Sequence, residues 1–173
     1  MIARHSNRVL GAVLIGGRSS RFGSDKSSAL FGDASLCEHS RRLLAPFVDE
    51  TVLVGGSAIP DLPEPHLGPL GGIAAALDHA ATHGFGCVLT IACDMPRLPD
   101  GLLDRLVRRG PSFCSDAPVL GYWSSALGAH ILAHIATGPN RSVRGWARAV
   151  GALPIVAGGA IANVNTPEDL MAL

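Results

Sequence analysis

The chain has no excess of charge of either sign: fourteen Lys and Arg balance fourteen Asp and Glu. That excludes a global positive field of the kind that gathers nucleic acid, and no basic block is long enough to form a tail. Any anion site must therefore be local. No apolar run reaches the length of a membrane span. The segment Met1 to Arg8 is polar and has no apolar signal core, so a cytoplasmic location is expected. The four cysteines, Cys37, Cys87, Cys93 and Cys114, show neither paired spacing nor a zinc pattern. They read as small hydrophobes. Charged residues are only 16% against 47% hydrophobic, which excludes a disordered chain. The 173 residues suit one domain with a sizeable core, residues 1–173, with 1–8 as a flexible tail.

Two common phosphate-binding loops are also missing. The Walker loop needs Gly-Lys-Ser/Thr, but Ser24-Asp25 separates Gly23 from Lys26. The fingerprint Gly-x-Gly-x-x-Gly fails because Gly16 and Gly17 are adjacent. What stands there instead is Gly16-Gly17-Arg18-Ser19-Ser20-Arg21-Phe22-Gly23-Ser24-Asp25-Lys26, directly after the apolar run Val9 to Ile15. Three glycines let backbone N–H groups approach a ligand, and Arg and Lys beside them make a concave anion site. A strand ending in such a loop looks like a triphosphate cradle.

The rest of the pattern alternates. Strands are expected over 9–15, 51–54, 86–92, 113–114, 119–123 and 153–156. Helices are expected over 35–46, 72–83, 99–109, 124–136 and 142–150. A proline-rich link spans 60–69. Thr166 reads as an N-cap before Pro167 and Asp169, opening a last helix. Such alternation implies a mainly parallel, three-layer α/β/α sheet. Ligands of open α/β sheets sit outside the carboxyl ends of the strands. The first strand ends at the Gly-rich loop and the strand over 86–92 ends at Asp94, so both should face one crevice.

Asp94 follows a buried strand, where a carboxylate either caps the turn before Met95-Pro96 or holds a metal. Beside a triphosphate that metal would be Mg²⁺, which takes one or two carboxylates plus phosphate oxygens. Arg21 and Lys26 are either solvated loop charges or phosphate ligands; Arg clamps oxygens in a fork and Lys supplies a point charge. Gly68-Pro69-Leu70-Gly71-Gly72 opens a helix, either as a tight turn or as a place where backbone N–H groups meet a ligand. Asn163 and Asn165 either cap the last helix or offer amides to a polar heterocycle or phosphate. The helix-borne histidines His39, His79, His83, His130 and His134 read as solvent-facing. The i, i+4 pairs among them have no third ligand.

Taken together, these segments resemble the molybdenum cofactor guanylyltransferase family, the MobA-like nucleotidyltransferases, from Val9 to Leu173. The strongest likeness is Gly16 to Lys26. Gly68 to Gly72, Cys93 to Pro96 and Asn163 to Glu168 recur in order, and Arg141-Ser142-Val143-Arg144 is similar to a further family element. The resemblance implies a Rossmann-like nucleotidyltransferase fold and transfer of GMP from GTP to the phosphate of molybdopterin, releasing pyrophosphate with Mg²⁺.

Residue by residue, the resemblance puts Leu14, Ile15, Gly16, Gly17 and Ser19 on the nucleotide, with Gly68, Pro69 and Leu70. Lys26 would contact the triphosphate, Arg21 the triphosphate or acceptor, and Asp94 the Mg²⁺. Asp61 matches a guanine-contacting Asp in spacing. Gly56 stands on the nucleotide side, where the family often carries Asn. Asn163, Asn165 and Arg141 would face the acceptor. Gly17 is similar to the guanylyl branch rather than the cytidylyl one. Implied partners are GTP, molybdopterin and, in passing, molybdoenzymes or other cofactor-assembly proteins. Neither nucleic acid nor membrane is implied. The alternatives are a cytidylyltransferase, another nucleotidyltransferase with a different acceptor, or a non-catalytic nucleotide-binding accessory protein.

Overall fold

The computed structural model describes residues 8–15, 28–138 and 141–172. The aliphatic run near the start forms β1 (Val9–Leu14), which is buried on both faces, as a central strand of a parallel sheet must be. A short hairpin follows, β2 (Leu30–Phe31) and β3 (Ala34–Ser35). The sequence reading did not include it. Its turn is Gly32-Asp33, with Gly32 at φ +63°. Ser35 then caps α1 (Leu36–Leu44), its hydroxyl accepting the Glu38 N–H at 3.2 Å. The helix expected to reach residue 46 gives way to a 3₁₀ turn at Ala45–Phe47, because Pro46 has no N–H to continue the ladder.

The remaining elements are β4 (Glu50–Val54), α2 (Pro69–Thr82), β5 (Cys87–Ala92), α3 (Leu102–Val107), β6 (Ser112–Cys114), β7 (Gly121–Ser124), α4 (Gly128–Thr137), α5 (Val143–Ala149), β8 (Leu153–Ile155) and α6 (Pro167–Met171). Among the described residues, no helix is long and apolar enough to cross a membrane.

Six strands form one sheet in the order β4-β1-β5-β7-β6-β8. β1 pairs in parallel with β4 and β5, and β8 in parallel with β6; β7 runs antiparallel to both its neighbours. Side chains alternate along β1. Leu10, Ala12 and Leu14 join the core under α2, α4 and α5, while Val9 and Val13 join the core under α1 and α3. This is the three-layer arrangement that the alternating pattern implies. Leu10, Leu36, Leu44, Ile73, Leu77, Leu89 and Ile91 are fully buried. Each such side chain contributes roughly 1.5–3 kcal/mol of transfer free energy.

Several expected boundaries move, each for a local reason. α2 starts at Pro69 rather than 72, since Pro is suited to the first helical position. α3 covers 102–107 instead of 99–109: Gly101 is left-handed at φ +68°, and the Leu102 N–H closes a turn onto the Pro99 carbonyl at 3.2 Å. The strand expected at 119 begins at Gly121, because the Leu120 N–H turns back to the Ala117 carbonyl at 2.9 Å. A 3₁₀ turn, Ser125–Leu127, precedes α4. Arg8 leads directly into β1. Its guanidinium lies 4.1 Å from the Phe85 ring centroid, and its carbonyl accepts the Gly86 N–H at 2.9 Å.

β7 is locked to β5 by polar contacts within the core. The fully buried Thr90 hydroxyl donates to the Val119 carbonyl at 2.7 Å and accepts the Trp123 indole N–H at 3.0 Å. Trp123 in turn packs on Trp146 of α5, ring centroids 4.7 Å apart. Its indole also fills the space that a side chain at Gly121 would need.

The four cysteines are thiols rather than disulfide halves; Cys37, Cys93 and Cys114 are buried.

Candidate active site

Because β1 is central, its carboxyl end is bordered by the ends of β4 and β5. The Ile15 N–H donates to the Val54 carbonyl at 2.8 Å, and the Cys93 N–H to the Leu14 carbonyl at 3.0 Å. Leu14 and Ile15 thus sit mid-rim, with Gly56 on one side and Asp94 on the other. This is where open parallel sheets bind ligands.

On the β4 side the chain turns sharply. The Gly55 N–H donates to the Ile59 carbonyl at 2.7 Å, and Gly55 and Gly56 take φ of +103° and +57°. Only glycine adopts that pair without strain. A Cβ at Gly56 would stand 3.7 Å from Ile15 Cδ1, so the turn folds over the rim.

The proline-rich link then brings Asp61 to the first turn of α2. The Leu62 N–H donates to the Gly71 carbonyl at 3.1 Å. A Cβ at Gly71 would lie 3.1 Å from Asp61 Cβ; one at Gly72 would lie 3.3 Å from Leu14 Cδ2 and 3.7 Å from Asp61 Oδ1. The two glycines therefore let Asp61, α2 and Leu14 meet. Burial pushes the Asp61 carboxyl above the ordinary carboxylate range, opposed by the charge of His66 and a hydrogen bond from its backbone. His66 holds a left-handed φ of +68°, unusual for a side-chain-bearing residue.

Gly68 opens α2 at φ +70°, and the Gly71 N–H donates to its carbonyl at 3.1 Å. The positive end of a fourteen-residue helix is thereby presented beside Leu14 and Asp61.

On the β5 side, Asp94 follows a turn in which the Met95 N–H donates to the Ala92 carbonyl at 3.3 Å. Asp94 is half-buried, and its Oδ1 is withdrawn from solvent. The segment before α6 runs alongside. The Val164 N–H donates to the Asp94 carbonyl at 2.9 Å, and the Ala162 N–H to the Arg97 carbonyl at 3.2 Å. Val164 is fully buried and anchors this strip, while Asn163 and Asn165 are exposed on either side of it. Asp169 Oδ2 accepts the N–H groups of Asn165 at 2.8 Å and Thr166 at 2.9 Å; the Thr166 hydroxyl accepts the Asp169 N–H at 3.2 Å. That is the cap expected at Thr166, now seen as a full capping box. Capping and site geometry coexist, because the cap uses the backbone of Asn165.

The structure therefore brings Leu14, Ile15, Gly56, Asp61, Gly68, Pro69, Leu70, Asp94, Asn163 and Asn165 to one edge of the sheet. Arg141 is exposed just before α5, and among the described residues no bond ties it to this edge. Gly16, Gly17, Ser19, Arg21 and Lys26 lie outside the described residues. Shortly after the described chain resumes, the Ala29 carbonyl accepts the Leu36 N–H at 2.9 Å.

Two residues near the edge escaped the sequence reading. His66 acts on Asp61, and no pattern in the chain flags it. Arg97 directly follows Cys93-Asp94-Met95-Pro96, and a cation so near a candidate metal carboxylate was a usable signal.

The histidines divide. His83 and His130 are exposed, as expected. His39, His79 and His134 are half-buried, which corrects the solvent-facing reading. The reason for His39 is its Nε2, 2.6 Å from the Phe31 carbonyl. His79 stacks on His83 with centroids 3.9 Å apart. Among the described residues, no group of three or more His, Cys, Asp or Glu could hold a metal.

Comparison with known proteins gives the same direction. The family model of the MobA-like NTP transferase domain matches residues 11–153. A molybdenum cofactor guanylyltransferase of Cereibacter sphaeroides is 33% identical over 184 residues, covering 94% of this chain and 94% of that protein. One from Rhodobacter capsulatus is 33% identical over 178 residues, covering 94% and 93%. Among solved structures, molybdopterin-guanine dinucleotide biosynthesis protein A from Archaeoglobus fulgidus matches with a TM-score of 0.71 at 25% identity, covering 94% and 95%. A 2-C-methyl-D-erythritol 4-phosphate cytidylyltransferase from Thermus thermophilus matches at 0.64 with 16% identity, over 95% of each chain, and shares the fold.

Proposed function

The chain belongs to the MobA-like NTP transferase family, and from that premise we propose that it transfers GMP from GTP to molybdopterin, forming the guanine dinucleotide and releasing pyrophosphate. The observation that carries the reading is the meeting of Asp61, the start of α2 and Asp94 around Leu14 and Ile15. A base, a polyphosphate and a metal-binding carboxylate each need one of these.

Asp61 suits guanine, whose N1–H and N2–H₂ edge offers donors to a carboxylate. The α2 N-terminus suits negative charge on the nucleotide. Lys26 and Arg21 are assigned to the triphosphate as part of the same proposal, and Arg141, Asn163 and Asn165 to the acceptor. Asp94 is the proposed Mg²⁺ ligand. Its hard carboxylate oxygen, beside a triphosphate that would complete the shell, is the donor set this ion takes. The ion would neutralise charge that develops on the phosphate oxygens.

The reaction needs no covalent enzyme intermediate. An anionic oxygen of the acceptor phosphate attacks the α-phosphorus of GTP in line. The α–β bridging bond breaks, and its electron pair leaves with pyrophosphate. The residues of this chain position the two substrates and compensate their charge, which carries most of the rate. The proposed place of action is the cytoplasm.

The test is pyrophosphate release with Mg²⁺, molybdopterin and each nucleoside triphosphate in turn. Release with GTP supports the proposal. A preference for CTP moves the protein to the cytidylyl branch, and nucleotide binding without release assigns it an accessory role.

A further inference from the structure

Among the described residues, His66 is the one residue with a side chain whose backbone is left-handed, at φ +68°. That conformation costs free energy in a residue with a Cβ and persists only where surrounding contacts enforce it. Here the link closes on one glycine of α2 from two places. The Leu62 N–H donates to the Gly71 carbonyl at 3.1 Å, and a Cβ at Gly71 would stand 3.1 Å from Leu67 Cβ. Between those two anchors the turned backbone gives its His66 N–H to the Asp61 carboxylate, and the imidazole adds its charge.

Asp61 needs that help. It lies against Leu14 of β1 and the Gly71–Gly72 turn of α2, and none of these carries a charged side chain. Burial pushes its carboxyl up, toward the neutral acid. The neutral acid is the wrong form for guanine, because its O–H would meet the N1–H and N2–H₂ donors of the base. An opposite charge and a hydrogen bond to the charged form both restore the carboxylate. Glu64 on the same link is exposed, and the charge that acts on Asp61 is that of His66.

The residue type fits both demands. Asn, Asp and His take a left-handed backbone more readily than other residues with a side chain. Of the three, Asp would repel the Asp61 carboxylate and Asn would supply no charge. His supplies the backbone and the cation together.

We propose that His66 is a positioning residue for guanine recognition, its backbone N–H and imidazolium keeping the Asp61 carboxylate charged and in place for the base. The inference rests on the guanylyl-transfer reading. Histidine is a cation in mildly acidic solution and neutral above it. His66 therefore extends GTP recognition toward lower pH, where Asp61 would otherwise take up its proton.

The experiment measures the KM for GTP and for molybdopterin at pH 6 and pH 8 in the natural protein and in His66→Asn. Asn keeps the left-handed backbone and its N–H but removes the charge. The ratio of the two proteins' KM values at each pH cancels changes in the substrates themselves. At pH 6 the GTP KM of His66→Asn should stand about two- to fivefold above the natural value, the size expected for an exposed charge. At pH 8 the two should converge, because the imidazole is neutral and Asp61 is ionised in both. The molybdopterin KM and kcat should match at both pH values. Should His66→Asn melt early, His66→Gly also takes this backbone freely, and the same pattern applies.

Equal GTP KM values at pH 6 overturn the inference, and so does a gap as wide at pH 8 as at pH 6. A parallel rise in the molybdopterin KM overturns it too. Absence of GTP-dependent release in the natural protein is a different result: it removes the guanylyl reading itself, and this inference with it.

Discussion

The Val164 N–H donates to the Asp94 carbonyl at 2.9 Å, tying the segment before α6 to the end of β5. Val164 is fully buried, so the tie is protected from solvent competition. It sets Asn163 and Asn165 beside the candidate metal carboxylate.

Asp61→Asn separates binding from stability. Burial raises the Asp61 carboxyl above its ordinary value. A raised carboxyl contributes stability below the unfolded value, and that contribution is lost as pH rises through the folded one. At neutral pH the ionised group is therefore a cost to the fold. The variant should melt at or above the natural temperature at pH 7, while GTP affinity falls about tenfold or more through the lost charged acceptor. Calorimetric titration with GTP and a thermal melt check both halves.

Gly121→Ala tests the β7 packing. An added Cβ would stand 2.2 Å from Trp123 Cζ2. The indole cannot move freely, because its N–H is held by Thr90 at 3.0 Å and its ring by Trp146. Overpacking of this kind costs about 1–3 kcal/mol. Urea unfolding should show a lower midpoint with little change in slope.

Thr90→Val removes the hydroxyl that joins the Val119 carbonyl to the Trp123 indole. The shape is kept, yet the buried Trp123 indole N–H and the Val119 and Gly121 carbonyls lose a partner. The expected loss is about 1–3 kcal/mol, read by the same unfolding measurement.

His79 gives a pH signature. Burial, then the neighbouring His83, lowers its basicity. A histidine with a depressed folded pKa contributes full stability above the unfolded value of about 6.5, and that contribution is lost as pH falls toward the folded value. The melting temperature should decline below about pH 6.5, and His79→Gln should flatten that decline. Equal slopes in the two proteins would assign the pH dependence to other groups.

Much of this arrangement was legible in the chain. β1 and β5 announced themselves as apolar runs of strand length, and Thr166, Pro167 and Asp169 gave the α6 start. The sheet-end rule then placed Leu14 and Asp94 on one rim. Contacts distant in sequence were less legible. That Asp61 would reach Leu14 depends on Gly71 and Gly72 having no side chains where the link meets α2. The pairing of Val164 with Asp94 uses backbone groups, which composition does not report. The β2–β3 hairpin was readable from Gly32-Asp33 as a two-residue turn. Its strands are so short that periodicity had nothing to count.

The most direct measurement is the rate of pyrophosphate release by Asp94→Ala, taken beside its thermal melt. With GTP, molybdopterin and Mg²⁺, the rate should fall at least about a hundredfold, since a metal-binding carboxylate supplies several kcal/mol of transition-state stabilisation. The melting temperature should stay near that of the natural protein. A variant that turns over at close to the natural rate would contradict the account at its centre.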